Sequence, residues 1–286
     1  MPDAPAPVLL DQEERLRYGA FARRLAEAAR AQTLPGFDRG IAATGKPMAD
    51  GGFDPVTRAD RGAETAIRAL IESHFPDHGI HGEEYGVKQT GNPLCWVLDP
   101  IDGTRAYISA LASWGTLIAL CKNGRPVLGL MDLPVVNECF TGFGDQALLC
   151  KNENERQVHV RSCPSLSQAT LSTTDPYLFA PGAERTAFET LRVATRLQRY
   201  GLDSTAYGAL ARGSLDLVVE TGLQAYDIAA LIPIVEGAGG QVTNWSGGRA
   251  WNGGQVLASG DARIHEAALD VLSAAAQGAA GASPAF

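Results

Sequence analysis

Positive charge is in short supply in this chain: Lys and Arg total 24 against 32 Asp and Glu over 286 residues, a formal net charge of −8. Nucleic acid and anionic membrane surfaces need clustered cations, so neither is expected as a partner, and a small ligand is. Cysteine is sparse as well. The five (Cys95, Cys121, Cys139, Cys150, Cys163) are odd in number, scattered, and never form C-x-x-C. This excludes a zinc ribbon and a disulfide framework and fits a reducing compartment. No apolar run approaches the length of a membrane span, and the opening Met-Pro-Asp-Ala-Pro-Ala-Pro lacks the basic and apolar regions of a signal peptide. A cytoplasmic protein is expected. His74, His78 and His81 are spaced like zinc ligands, but Pro76 interrupts any helix that would align the first two, and they read as surface or loop histidines. Neither Ser113-Trp114 nor the tyrosines have the ordered His partner that nucleophilic catalysis needs, which argues against a serine hydrolase.

What the chain does contain is a succession of structure-forming segments. Asp11 to Leu34 is charged and Ala-rich, with Phe21, Leu25 and Ala28 on one face, and it ends before Pro35, predicting a helix. Gly36 to Gly52 has no period and reads as a loop. Asp60 to Phe75 carries Ala63, Ile67, Leu70 and Ile71 at helical spacing and stops at Pro76. Short β-rich runs at Gly79–His81, Cys95–Leu98, Gly115–Leu120, Val127–Met131, Cys139–Phe143 and Gln157–Val160 predict a largely antiparallel sheet. Beyond these, strands near Ala169–Ser172, Leu197–Tyr200, Leu215–Glu220 and Gln241–Thr243 alternate with helices from Ala183, over Ser204–Ala211 and over Asp227–Gly237. A last helix runs through Ile264, Ala268, Val271 and Leu272, and the alternation predicts an α/β layer. The length exceeds the roughly 100 to 200 residues of a typical domain, yet no repeat or linker divides the chain. One unit with two lobes is expected, about 9–160 and about 161–276, with the first eight residues and the low-complexity stretch 277–286 disordered.

The chemistry concentrates in Trp96-Val-Leu-Asp99-Pro-Ile-Asp102-Gly-Thr104, an apolar strand that runs onto two aspartates. Pro100 has no N–H to donate and restrains its predecessor, so the strand is predicted to end there. Gly103 lets the chain turn, and Thr104 opens a helix whose first N–H groups favour an anion such as phosphate. Two hard carboxylates beside an anion cradle point to Mg²⁺-assisted phosphate chemistry. Three more acids join them: Glu83 in a Gly-flanked turn, Asp227 at the start of a helix whose dipole keeps it ionised, and Asp60 at another helix start. A carboxylate at a helix start is usually only a cap, and Glu-Glu after glycine is usually solvated surface. Co-occurrence tips the balance, because a strand end, a turn and a helix start each present acid with no basic residue beside it. Gly237-Ala-Gly-Gly follows a helix instead of preceding one and reads as a C-cap, not a phosphate loop.

In this order, Gly82-Glu83-Glu84, the Trp96–Thr104 segment and Tyr226-Asp227-Ile-Ala-Ala with Glu236-Gly-Ala-Gly-Gly240 resemble the inositol monophosphatase family over about Asp11 to Leu272. That family comprises Mg²⁺-dependent, lithium-sensitive phosphatases, with fructose-1,6-bisphosphatase a distant relative. The resemblance implies an α+β fold, the layered α-β-α-β-α sandwich, two or three Mg²⁺ per active site with Mn²⁺ able to substitute, and a homodimer. It implies that Glu83, Asp99 and the Ile101 carbonyl hold one Mg²⁺ and that Asp99, Asp102 and Asp227 hold a second. Glu83 and an Asp60–Thr104 pair would orient the attacking water. The amides of Gly103 and Thr104 would take phosphate oxygens, with Asp102 and Asp227 also facing the substrate.

Within that superfamily the chain looks closest to the histidinol-phosphate phosphatases. Asp203, Tyr207, Asp216-Leu-Val-Val-Glu220 and Tyr226-Asp227 match their segments, whereas Leu202, Ser204, Thr205 and Ala225 do not. Asp203 and Glu220 are then the expected contacts of a cationic substrate, with helix capping the plainer role for Asp203. The implied reaction is hydrolysis of L-histidinol phosphate in histidine biosynthesis. Hydrolysis of inositol 1-phosphate, 3′-phosphoadenylate or a sugar phosphate is an alternative, as is a non-catalytic binding protein that keeps the fold.

Overall fold

The computed structural model describes residues 9–37, 43–46 and 54–276. The expectations for the first eight residues, for 277–286 and for the parts of the loop at 38–42 and 47–52 lie outside them. In chain order the first half holds α1 (Gln12–Thr33), β1 (Thr44–Lys46), β2 (Asp54–Val56), α2 (Arg58–His74), β3 (Gly79–Gly82), β4 (Gly86–Lys88), β5 (Leu94–Asp102), α3 (Thr104–Ile108), β6 (Gly115–Lys122), β7 (Arg125–Leu133), β8 (Glu138–Gly142), β9 (Ala147–Lys151) and β10 (Asn154–Gln157). The second holds β11 (Thr170–Thr173), α4 (Ala183–Ala194), β12 (Leu197–Tyr200), α5 (Thr205–Ala211), β13 (Leu217–Leu223), α6 (Ala225–Ile228), α7 (Leu231–Gly237), β14 (Gln241–Asn244), β15 (Gly254–Ser259) and α8 (Ala262–Leu272).

Helix starts are built from the sequence. The Asp11 carboxylate accepts the Glu14 amide while Glu14 accepts the Asp11 amide, and Thr57 and Asp60 form the same reciprocal box at the head of α2. The apolar stripes of α1 and α2 then bury Tyr18, Phe21, Leu25, Ile67 and Ile71 against Trp96, Leu98, Ile118 and Leu130 on one face of an eight-stranded sheet. Its order is β10-β9-β8-β7-β6-β5-β3-β4, antiparallel throughout except for β3 beside β5. On the opposite face α5 and α7 separate it from a five-stranded sheet ordered β12-β11-β13-β15-β14, around a core that includes Met131, Phe140, Leu210, Val218, Ile234 and Val256. The outer face of that second sheet carries α4 and α8 over Phe179, Phe188, Leu217, Trp245 and Leu257. The order helix, sheet, helix, sheet, helix is the expected α-β-α-β-α sandwich. Among the described residues no helix is long and apolar enough to cross a membrane.

Several local readings change. The strand expected at Gln157–Val160 lies earlier, as β10 (Asn154–Gln157), the outer arm of a hairpin with β9 turned by Asn152 and Glu153 at φ 49° and 65°, and residues 158–160 are not strand. The outer strand β10 is wholly exposed, so it has no apolar pattern to read. Strand β15 was not anticipated at all, because it is buried between β13 and β14 and shows no alternation. The single helix expected over Asp227–Gly237 is two, α6 and α7. Pro233 would have broken a continuous helix, whereas as the third residue of α7 its missing N–H costs nothing. The loop at Gly36–Gly52 contains β1, paired with β2. His78 lies in the loop between α2 and β3, as expected, but it is buried there: it stacks on Phe75 and accepts the Trp96 indole N–H at 3.2 Å.

Candidate functional site

The strand predicted to end at Pro100 runs on to Asp102, with an irregularity in its pairing to β6. Asp99 lies opposite Leu117 and Asp102 opposite Gly115, three steps against two, so β5 carries one extra residue. In a regular strand residues three apart face opposite sides; the bulge restores them to one side. Pro100 tolerates this position because its carbonyl, which accepts the Thr116 hydroxyl at 2.8 Å, is the only ladder group it has to satisfy. The Asp99 carboxylate folds back to accept the Ile101 amide at 3.1 Å. Gly103 follows at φ 82°, and a Cβ there would lie 2.9 Å from the Ser113 carbonyl, so only glycine allows α3 to start immediately after Asp102.

Two more acids converge by different routes. The parallel register of β3 on β5 sets Gly82 opposite Leu98, and the Glu83 amide donates to the Leu98 carbonyl at 3.1 Å, which brings the Glu83 carboxylate alongside Asp99. Asp227 is the third residue of α6. One of its oxygens accepts the Gln224 amide at 2.6 Å, and it offers another ligand atom within 4.8 Å of atoms from Asp99 and Asp102. The second lobe also reaches Asp102 directly, through the Ser204 amide at 2.8 Å.

Burial is the first cause of the site's electrostatics, like charge the second. Asp99, 2 % exposed, is driven well above the usual carboxylate range by desolvation and then by Glu83, Asp102 and Asp227. Asp102 is also raised by burial, and the Ser204 amide offsets part of it. Such a cluster is costly unless a cation neutralises it. Its donors are all hard oxygens, which suit a divalent cation of the Mg²⁺ class better than a softer metal. Beside it, Asp60 gives one oxygen to the Thr57 amide and hydroxyl, at 2.8 and 2.6 Å, leaving Oδ1 facing the Thr104 hydroxyl at 3.4 Å. That hydroxyl donates to the Ile101 carbonyl at 3.0 Å.

Asp203 and Glu220 stand behind this cluster. Asp203, at φ 45°, precedes α5, and no side chain caps that helix, so the capping role is absent. Its carboxyl carbon would be 3.3 Å from a Cβ on residue 103. Burial, reinforced by Asp102, raises its pKa to about 7. The Glu220 carboxylate accepts the Thr174 amide at 2.8 Å and the Thr174 and Thr173 hydroxyls at 3.1 and 3.2 Å, yet burial still raises it to about 8. The Tyr207 hydroxyl is buried within electrostatic reach of Glu220, Asp102 and Asp227 and has no hydrogen-bond partner among the described residues. Sequence reasoning had assigned no role to Thr173, Thr174 or the Ser204 amide. Ser204 had even counted as a mismatch, but a backbone N–H leaves no signature in residue identity.

The five-layer sandwich is the fold of solved phosphatases of the inositol monophosphatase and fructose-1,6-bisphosphatase type. Residues 16–277 match the inositol monophosphatase family, and the chain belongs to it. A chloroplastic bifunctional phosphatase of Arabidopsis thaliana is 43 % identical over 77 % of this chain and 66 % of its own length. A histidinol-phosphatase of Streptomyces coelicolor is 34 % identical over 88 % of this chain and 95 % of its own. The solved structure of an inositol monophosphatase from Zymomonas mobilis superposes with a TM-score of 0.79 at 42 % identity, covering 91 % of this chain and 98 % of that one.

Proposed function

We propose that this chain is a Mg²⁺-dependent phosphate monoester hydrolase acting on L-histidinol phosphate. The observation that carries the reaction class is the meeting of Glu83, Asp102 and Asp227, each half-buried, around the buried Asp99 at the head of α3. Glu83, Asp99, the Ile101 carbonyl, Asp102 and Asp227 would hold the cations. When bound, Mg²⁺ supplies positive charge to the phosphate oxygens and lowers the pKa of water. The first-turn amides of Gly103 and Thr104 take phosphate oxygens, since a helix's first N–H groups have no intrahelical partner. The Thr104 oxygen, tied to Ile101 and facing Asp60, orients the attacking water together with Glu83. As the Thr104 oxygen accepts a proton from the water, its own hydroxyl proton turns from the Ile101 carbonyl and passes to Asp60 Oδ1, which burial has made more basic.

The substrate assignment is supported by the half-buried Asp203 and the buried Glu220, two carboxyls beyond the phosphate position and within electrostatic reach of each other. A cationic leaving part draws both into their ionised forms, whereas a neutral polyol does not. The histidinol-phosphatase relative agrees with this reading. The Zymomonas structure supports a second one, inositol 1-phosphate. Phosphate release from the two substrates, side by side with Mg²⁺ and after chelation, decides. Preference for inositol 1-phosphate rejects the substrate, and undiminished turnover after chelation rejects the mechanism.

A further inference from the structure

Glu64 is a fully buried carboxylate that the reaction as described does not use. It lies on α2, one turn after Asp60 and so on the same face of that helix. Its Oε2 accepts the Glu84 amide at 2.7 Å, and its Oε1 accepts the Tyr85 amide at 3.2 Å and the Arg68 Nε–H at 2.7 Å. Arg68 goes on to donate to the Gly86 carbonyl. The carboxyl lies flat against the end of β3: a Cβ on residue 82 would sit 2.0 Å from Glu64 Oε1, so Gly82 is what lets it approach. An ion pair with Arg68 alone would need neither the two amide contacts nor this proximity.

We infer that Glu64 is a positioning residue for the metal site, fixing the turn that carries Glu83. That turn is held from two sides. On the sheet side the Glu83 amide binds the Leu98 carbonyl next to Asp99; on the helix side Glu64 binds the next two amides and Arg68 binds the turn's far end. The side chain of Glu83 is thereby left to point at Asp99. Because Asp60 and Glu64 are on one helix, α2 acts as a single rod that sets the Thr104 hydroxyl and the Glu83 carboxylate in register. No substituent other than a carboxylate supplies acceptors to all three donors: an amide side chain would turn its NH₂ against a backbone N–H or against Arg68.

The inference rests on the reading of Glu83 as a cation ligand, so the test includes Glu83→Gln beside Glu64→Gln. Mg²⁺ affinity is measured by calorimetric titration and by the Mg²⁺-induced rise in melting temperature, and exchange of the Glu84 and Tyr85 amides is followed without metal. In Glu64→Gln those amides should exchange faster. Its Mg²⁺ affinity should fall about tenfold or more, the scale on which groups that orient metal ligands act, with kcat falling at saturating substrate. If Glu64→Gln does not fold, Glu64→Asp takes its place. It keeps the charge facing Arg68 but draws the oxygens back from the amides, and the same loss is expected. Unchanged Mg²⁺ affinity in a folded Glu64 variant, with only its melting temperature lowered, overturns the positioning role provided Glu83→Gln has lost affinity. Unchanged affinity in Glu83→Gln overturns the ligand reading itself, and the positioning role with it.

Discussion

Replacing Asp99 with Asn separates what the acidic cluster costs the fold from what it does for the cation. Without metal, Asp99 must either hold a proton or ionise among like charges. Holding a proton at pH 7 on a carboxyl of ordinary pKa 3.8 costs about 4 kcal/mol relative to the unfolded chain. Ionising sets it against carboxylates with ligand atoms within 4.8 Å, about 3.5 kcal/mol per pair at an effective dielectric near 20. The cheaper route sets a ceiling of about 4 kcal/mol on the strain. Asn removes it while its carbonyl oxygen can still accept the Ile101 amide. In chelator at pH 7 the variant should therefore melt above the wild type, by about 2 to 4 °C for each kcal/mol relieved. The gap should close towards pH 4, where protonating the wild type is free. With Mg²⁺ the order reverses once the cation exceeds Kd by about a thousandfold, where binding adds about 4.1 kcal/mol to the wild type alone and outweighs the ceiling on the strain. Phosphate release should drop about a hundredfold or more, at least the loss seen when mere supports of metal ligands are removed. Differential scanning calorimetry with and without chelator, beside a phosphate-release assay, measures all of this. A variant no more stable than wild type in chelator at pH 7, and still stabilised by Mg²⁺, refutes the reasoning.

Thr104→Ala should lower kcat about tenfold or more with little change in KM, since its hydroxyl is held by Ile101 and Asp60 to orient water and positioning acts on the transition state; a raised KM at unchanged kcat contradicts it. Asp203→Asn keeps a residue type that tolerates φ 45° and should cost histidinol phosphate roughly tenfold more in kcat/KM than a neutral phosphate ester; equal losses on both substrates remove Asp203 from recognition. Metal-free stability should fall between about pH 6.5 and 8.5. Asp203 and Glu220, raised to about 7 and about 8, hold protons in the folded state that the unfolded chain has already released, so stability is lost as pH rises through those values. His265, lowered to about 4, acts in the opposite direction but only below about pH 6.5. A melting temperature that rises over that window in chelator refutes the assignment.

By itself the sequence determined those features whose cause is local. The helix start at Asp11, the glycine turn at Gly103, the C-cap after Gly237 and the apolar stripes of α1 and α2 all follow from neighbouring residues, and the acidic motifs could be picked out by their order along the chain; the second helix, read as starting at Asp60, is capped three residues earlier by Thr57. Tertiary structure decided everything that depends on register. Asp99 and Asp102 face one way because β5 gains a residue against β6; Glu83 meets Asp99 because β3 lies parallel to β5; and Ser204 reaches Asp102 across 102 positions of chain. The exposed β10 and the fully buried β15 escaped notice for the same reason from opposite sides, since a strand with uniform surroundings carries no alternation. Glu64 carries no motif in the sequence, and only folding placed it, buried, beneath the turn of Glu83. Pairing register and burial are properties of segments brought together, and no single segment encodes them.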